Sequence, residues 1–84
     1  MQTDPIILRR IGRYCRAYRQ DQLQMTLEQI AGGQYKALSA FEHGRSSNLL
    51  HIVKYLRKIL THYDRLVFLE DLLFIIEGVE LYDC

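Results

Sequence analysis

The 84-residue chain is poor in the residues that staple or interrupt small folds, with two cysteines, one proline and five glycines. So little proline and glycine excludes a collagen-like repeat and a low-complexity linker. A hydrophobic share of 49% with 25% charged residues excludes a disordered tail. Two cysteines, Cys15 inside a helical pattern and Cys84 as the last residue, make no disulfide framework, and reduced thiols in a cytoplasmic setting are expected. The N-terminus lacks the charged-then-apolar order of a signal peptide, because Arg9 and Arg10 interrupt the first apolar run. Long hydrophobic runs are absent too. The most apolar stretch, Leu66–Ile76, contains Glu70 and Asp71 and falls well short of the ~20 residues of a membrane span. These absences predict a soluble cytoplasmic protein without a membrane partner.

Catalytic constellations are missing as well. There is no glycine-rich phosphate loop, no Ser or Cys set beside a His and an orienting acid, and no paired carboxylates on a pocket-forming scaffold. His43, His51 and His62 share no spacing with the cysteines that would build a zinc site. The expectation is a non-enzyme with no metal, cofactor or small-molecule ligand.

What is present is an uneven charge. The net charge of +1 conceals two regions of opposite sign. Residues 1–60 carry ten Lys/Arg against four Asp/Glu, a net +6, while residues 61–84 carry Arg65 against six acids, a net −5. The chain is a basic body followed by an acidic, greasy tail. At this length it forms one domain that buries only ~60–65% of its unfolded surface, so it needs an efficient core or a partner.

The apolar pattern is helical nearly throughout. Asp4-Pro5 reads as a cap followed by proline at the first helical position. Ile7/Leu8, Ile11, Tyr14/Cys15 and Tyr18 then form one stripe, and the polar Gln20-Asp21-Gln22 is expected to end the helix. Thr26-Leu27-Glu28-Gln29 is a capping box opening a short helix to Ala31, stopped by Gly32-Gly33. A third helix, Gln34–His43, has Ala37, Leu38 and Phe41 as its apolar positions and ends at Gly44. Ser46-Ser47-Asn48 caps a fourth, expected to run to Leu60 with Leu49, Ile52/Val53, Leu56 and Ile59/Leu60 buried. Asp64 is expected to cap a fifth, Arg65–Ile76, ended by Gly78. The alternation of Val79–Asp83 fits an edge strand or an ordered extension.

Short helix, glycine turn, second short helix and glycine stop make the helix-turn-helix arrangement, whose turn holds the third helix clear of the body to enter a major groove. Three stretches carry a family resemblance: Ile11-Gly12-Arg13 with Arg19, Met25 to Ala31, and Leu38-Ser39-Ala40-Phe41-Glu42-His43-Gly44-Arg45. Together they resemble the phage-repressor and Cro-like (Xre-type) helix-turn-helix family over roughly residues 9–60. The resemblance implies a lambda-repressor-like domain, and with the helices read from the apolar pattern the expected fold is all-α, with five helices of which the last is an apolar C-terminal helix followed by a short tail. Residues 1–62 would form the DNA-binding part, and residues 63–84 a dimerisation element of the same domain.

The same resemblance implies a partly buried Arg19–Glu42 ion pair. It makes Gln34, Tyr35, Lys36, Ser39 and Ala40 the groove-facing residues, with Thr26, His43 and Arg45 on phosphates. Their chemistry suits those tasks: Gln34 can read adenine with both ends of its amide, Lys36 can donate to guanine O6/N7, and Ala40 can pack on a thymine methyl. Three features depart from the family, the first being a turn before Thr26 one residue longer than usual. Leu27 stands where a glutamine is usual, and the segment from Ala31 to Leu38 is shortened. The lesser alternative for Gln34, Tyr35 and Lys36 is a solvated helix face. The arginines of the first helix read as a solubilising surface rather than a binding site, and Tyr14 and Tyr18 as core or rim packing.

Along Leu66–Ile76 one stripe (Leu66, Leu69, Leu72/Leu73, Ile76) suffices to cover the body, leaving Val67, Phe68, Phe74 and Ile75 on other faces. A helix apolar nearly all round demands more cover than 84 residues supply. A homodimer interface of Leu66, Phe68, Leu69, Leu72, Leu73, Ile75 and Ile76 is therefore expected. Two functions follow: a dimeric, sequence-specific regulator of transcription on double-stranded DNA, of phage or mobile-element repressor type, or a protein-interaction module on the same scaffold, such as an antitoxin or an inhibitor of a host factor.

Overall fold

The computed structural model describes residues 5–83, with side chains for residues 6–78. The expected Asp4 cap lies outside the described residues. Helix α1, Pro5–Ala17, passes without a break into a π-helical turn, Tyr18–Leu23. The polar triplet Gln20-Asp21-Gln22 thus does not end the helix. The end comes at Gln24, a non-glycine residue in the left-handed region (φ 53°) whose N–H returns to the Arg19 carbonyl. Widening the last turn puts Arg19 on the inner side and packs Leu23 against the core.

Helix α2, Leu27–Ala31, has only five residues and starts on the capping box. The Thr26 hydroxyl accepts from the Gln29 N–H (3.2 Å), and the Gln29 side-chain oxygen accepts from the Thr26 N–H (2.8 Å). Gly32 ends it at φ +58°, which costs glycine little, and Gly32–Gln34 form one 3-10 turn before α3, Tyr35–Glu42. At its other end α3 closes as a Schellman motif. Gly44, at φ 74°, donates to the Phe41 carbonyl (3.0 Å), and Arg45 donates to the Ala40 carbonyl (2.9 Å). Of the expected apolar positions Leu38 and Phe41 are buried, whereas Ala37 faces solvent.

Helix α4 is shorter than its sequence suggests, His51–Lys58, and its inner face differs by one position. His51, Tyr55 and Ile59 are buried, with Ile52 and Leu56 at the margin, while Leu49, Leu50 and Val53 are exposed and Leu60 is 92% exposed. Two local bonds draw the chain into α4: Asn48 N–H to the Ser46 hydroxyl (3.2 Å) and Leu50 N–H to the Asn48 side chain (3.1 Å). The last helix, α5, spans His62–Asp83. Its cap is Thr61, whose hydroxyl accepts from the Asp64 N–H (3.1 Å), so Asp64 lies inside the first turn. The helix continues through Gly78 to Asp83. The expected stop and edge strand are therefore replaced by helix, because a glycine in a helix interior weakens it without breaking it.

Among the described residues the fold is all helical, and four helices of eight residues or more carry it rather than five, α2 being little more than one turn. The radius of gyration is 12.7 Å, near the ~12 Å of a compact chain this long. Helix α1 lies between α3 and α5. Gly12 makes the first of these contacts possible, since a Cβ there would come within 2.6 Å of the Phe41 carbonyl oxygen and 2.5 Å of that of Glu42. On the other side Phe68 enters a cage of tyrosine rings, 4.8 Å from Tyr18, 5.5 Å from Tyr14 and 6.1 Å from Tyr55. Tyr14 also donates to Asp71 (2.7 Å), and Arg65, the sole cation of residues 61–84, spends its Nε–H on the carbonyls of Leu56 (3.3 Å) and Ile59 (3.0 Å) at the end of α4.

This docking corrects the expected interface. Phe68 and Leu72 are buried in the chain's own core, and Ile75 and Ile76 pack against it. Leu66, Leu69, Leu73 and Phe74 are exposed instead. The helix is apolar nearly all round, so periodicity alone cannot choose the inner face. The tyrosine cage chooses Phe68.

Candidate nucleic-acid interface

The stem of the site is a buried ion pair. Arg19 and Glu42, the positions that the resemblance pairs, meet through two bonds, Nε to Oε2 (2.8 Å) and a terminal guanidinium N–H to Oε1 (3.0 Å). The same guanidinium donates to the Met25 carbonyl (2.9 Å), fixing the chain just before α2. A third donor, the Tyr55 hydroxyl of α4, reaches Oε2 at 2.5 Å and was not foreseen from sequence. One carboxylate at the end of α3 thereby joins α1, the approach to α2 and α4. Burial first, and then the bond to Glu42, raise the Tyr55 hydroxyl far above its usual range, and the bond to Glu42 raises that of the Arg19 guanidinium. Among the described residues no buried side-chain polar atom lacks a hydrogen-bond partner.

Anchored at that end, α3 presents its beginning to solvent. Gln34, Tyr35 and Lys36 are exposed, while Ser39 and Ala40 are half-buried one turn further on. Gln34 is not free in orientation, because its side-chain oxygen accepts from the Lys54 ammonium of α4 at 3.1 Å. With that oxygen engaged the amide presents its N–H groups outward, together with the Lys54 charge. Nothing in the local sequence signals this pairing across twenty residues.

Thr26, His43 and Arg45 are exposed as well. The Thr26 oxygen serves the capping box, which leaves its O–H proton to donate outward. His43 Nδ1 lies 2.8 Å from the Ser39 carbonyl, which can only accept. The ring therefore donates from Nδ1, and Nε2 offers a lone pair to solvent unless the ring is protonated. Arg9, Arg13 and Arg16 of α1 line a shallow cleft with Glu42 and His43, a juxtaposition the sequence reading left as plain surface. On the opposite side a second cleft combines Tyr14, Tyr18 and Val67 with Asp21 of the π-helical turn and Asp64 of α5, so the clefts flanking α1 differ in charge.

Among the described residues no group of His, Cys, Asp and Glu is placed to hold a metal ion, and no helix is long and apolar enough to cross a membrane. No protein-family model, curated protein or solved structure matches the chain.

Proposed function

We propose that the chain is a sequence-specific double-stranded DNA-binding regulator of transcription, of phage or mobile-element repressor type, working as a homodimer through a lambda-repressor-like helix-turn-helix. One observation carries this: α3 is pinned at its end by the buried Arg19–Glu42–Tyr55 cluster while its first turn, with Gln34, Tyr35 and Lys36, stands exposed beyond a glycine turn. A helix held by one end and bare at the other can enter a major groove ~12 Å wide. Gln34, Tyr35, Lys36, Ser39 and Ala40 then meet base edges, with Thr26, His43 and Arg45 on phosphates. The exposed Leu66, Leu69 and Leu73 of α5 would cover a second copy, setting two reading heads ~34 Å apart. The acidic end of the chain would face away from the duplex.

Titrating a labelled random duplex with the protein at rising salt tests the function directly. A DNA reader binds at low salt and loses affinity steeply as salt rises, and selection from a random pool then returns a near-palindrome. Absence of binding at 50 mM salt would refute it.

A second function rests on a different surface. Phe74 is 77% exposed and lies with Val67 on the far side of Glu70 from Leu66 and Leu73. Such a broad apolar face suits a protein-interaction module as well, and a strict monomer in light scattering that fails to bind duplex would favour that module.

A further inference from the structure

Helix α1 is entirely cationic. Between Pro5 and Ala17 it carries four arginines and no acid. Arg9, Arg13 and Arg16 stand four and three residues apart, which puts them on one face, and all three are exposed. None has an ion-pair partner among the described residues. The only acid in their cleft, Glu42, has both oxygens occupied by Arg19 and Tyr55, so it neutralises none of them. Like charges four residues apart repel and weaken a helix, a cost that a bound anion removes.

The stripe is also placed. Arg9 packs against Gly44, the left-handed residue that closes α3, such that a Cβ on Gly44 would fall 2.8 Å from Arg9 Cγ. Arg45 follows directly, and His43 lines the cleft itself. The row of guanidiniums thus begins beside the residues assigned to phosphates and climbs α1, with about 6 Å of rise per four residues.

We propose that Arg9, Arg13 and Arg16 form a second phosphate-binding surface, which follows one strand of the duplex beyond the base pairs read by α3. The assignment rests on the DNA-binding function proposed above. The stripe supplies affinity without base preference and lengthens the contacted DNA, because guanidinium–phosphate contacts fix position and carry no sequence information.

The test is the salt dependence of binding to a labelled random duplex, measured by fluorescence anisotropy for the wild-type chain and for Arg9→Gln/Arg13→Gln/Arg16→Gln. Glutamine keeps the helix propensity and removes the charge. Each lost phosphate contact lowers the slope of log K against log salt by ~0.9, so the triple variant should lose about 2 to 3 from its slope while selecting the same site from a random pool. Circular dichroism and thermal melting should match the wild type, since all three side chains are exposed. A wild-type slope in the folded triple variant overturns the stripe and leaves the DNA-binding function standing. No duplex binding by the wild type overturns both. Arginine-dependent binding of the wild type to phosphatidylserine vesicles in place of duplex overturns both in favour of a lipid surface.

Discussion

The Glu42 carboxylate and the Tyr55 hydroxyl meet at 2.5 Å inside the domain, and the Arg19 guanidinium holds the same carboxylate from the other side. The three groups are unequal in what their loss would do. Glu42→Ala leaves a buried guanidinium with one carbonyl partner and an unpartnered phenol, and should cost ~3–5 kcal/mol. Tyr55→Phe leaves the bidentate pair intact and removes one hydrogen bond, costing ~1–2 kcal/mol. Urea unfolding midpoints should therefore rank wild type, Tyr55→Phe and Glu42→Ala in falling order. Equal loss from both variants would contradict the central place given to the carboxylate.

Two glycines should respond to alanine with opposite sign. At Gly12 a Cβ meets the carbonyl oxygens of Phe41 and Glu42 at 2.6 and 2.5 Å, so α3 must move, and Gly12→Ala should destabilise by ~1–3 kcal/mol. Gly78 lies inside α5 with nothing within 4 Å of an added Cβ. Gly78→Ala should instead stabilise by ~0.5–1 kcal/mol and raise helical content. A loss of helicity on that substitution would return the tail to a non-helical extension.

The contrast between these glycines shows what can be read from sequence. Gly32, Gly44 and the Thr26–Gln29 box act locally, and their signals name the ends of α2 and α3 without tertiary context. Leu38 and Phe41 follow from period, and the Arg19–Glu42 contact from resemblance. Where two apolar registers compete, local rules fail. On α4 the Leu49–Ile52–Leu56 spacing is as helical as His51–Tyr55–Ile59, and the winner is set by distant groups: Glu42 needs the Tyr55 donor, and Phe41 takes the His51 ring at 5.3 Å. On α5 the ambiguity is complete until Tyr14, Tyr18 and Tyr55 enclose Phe68.

Burial also gives stability a pH dependence through His51. Desolvation, and then the nearby Lys54 charge, lower its pKa from the ordinary value near 6.5. The unfolded chain therefore takes up a proton that the folded chain resists, so this contribution is intact above pH 6.5 and is lost as the pH falls below it toward the folded value. Thermal melts between pH 7.5 and 5 should fall more steeply for the wild type than for His51→Gln. Parallel curves would remove His51 as the cause.

The Cys15 thiol is fully buried and pushed up to about 12, by desolvation first and by Glu42 second. Thiolate is the reactive species, so Cys15 should resist iodoacetamide in the native protein and react in urea. Peptide mapping by mass spectrometry reads this directly. Rapid native labelling of Cys15 would mean that the core around α1 opens readily.

The last prediction concerns base choice and depends on the proposed DNA-binding function. An unconstrained glutamine at the head of α3 would read adenine with both ends of its amide. Lys54 instead donates to the Gln34 oxygen at 3.1 Å, which occupies one of its two lone pairs and sets an ammonium beside it, so the pair is weighted toward donors. Donors match the O6 and N7 acceptors of guanine, and the wild type should select guanine opposite Gln34. Removing the ammonium while keeping the stem, as in Lys54→Met, frees the Gln34 oxygen to accept from adenine N6. Selection from a random pool should then shift that single position from guanine toward adenine, by about 1–3 kcal/mol of discrimination, and leave the other positions unchanged. A uniform fall in affinity without a change of base would make Lys54 a phosphate contact, with no hold on the orientation of Gln34.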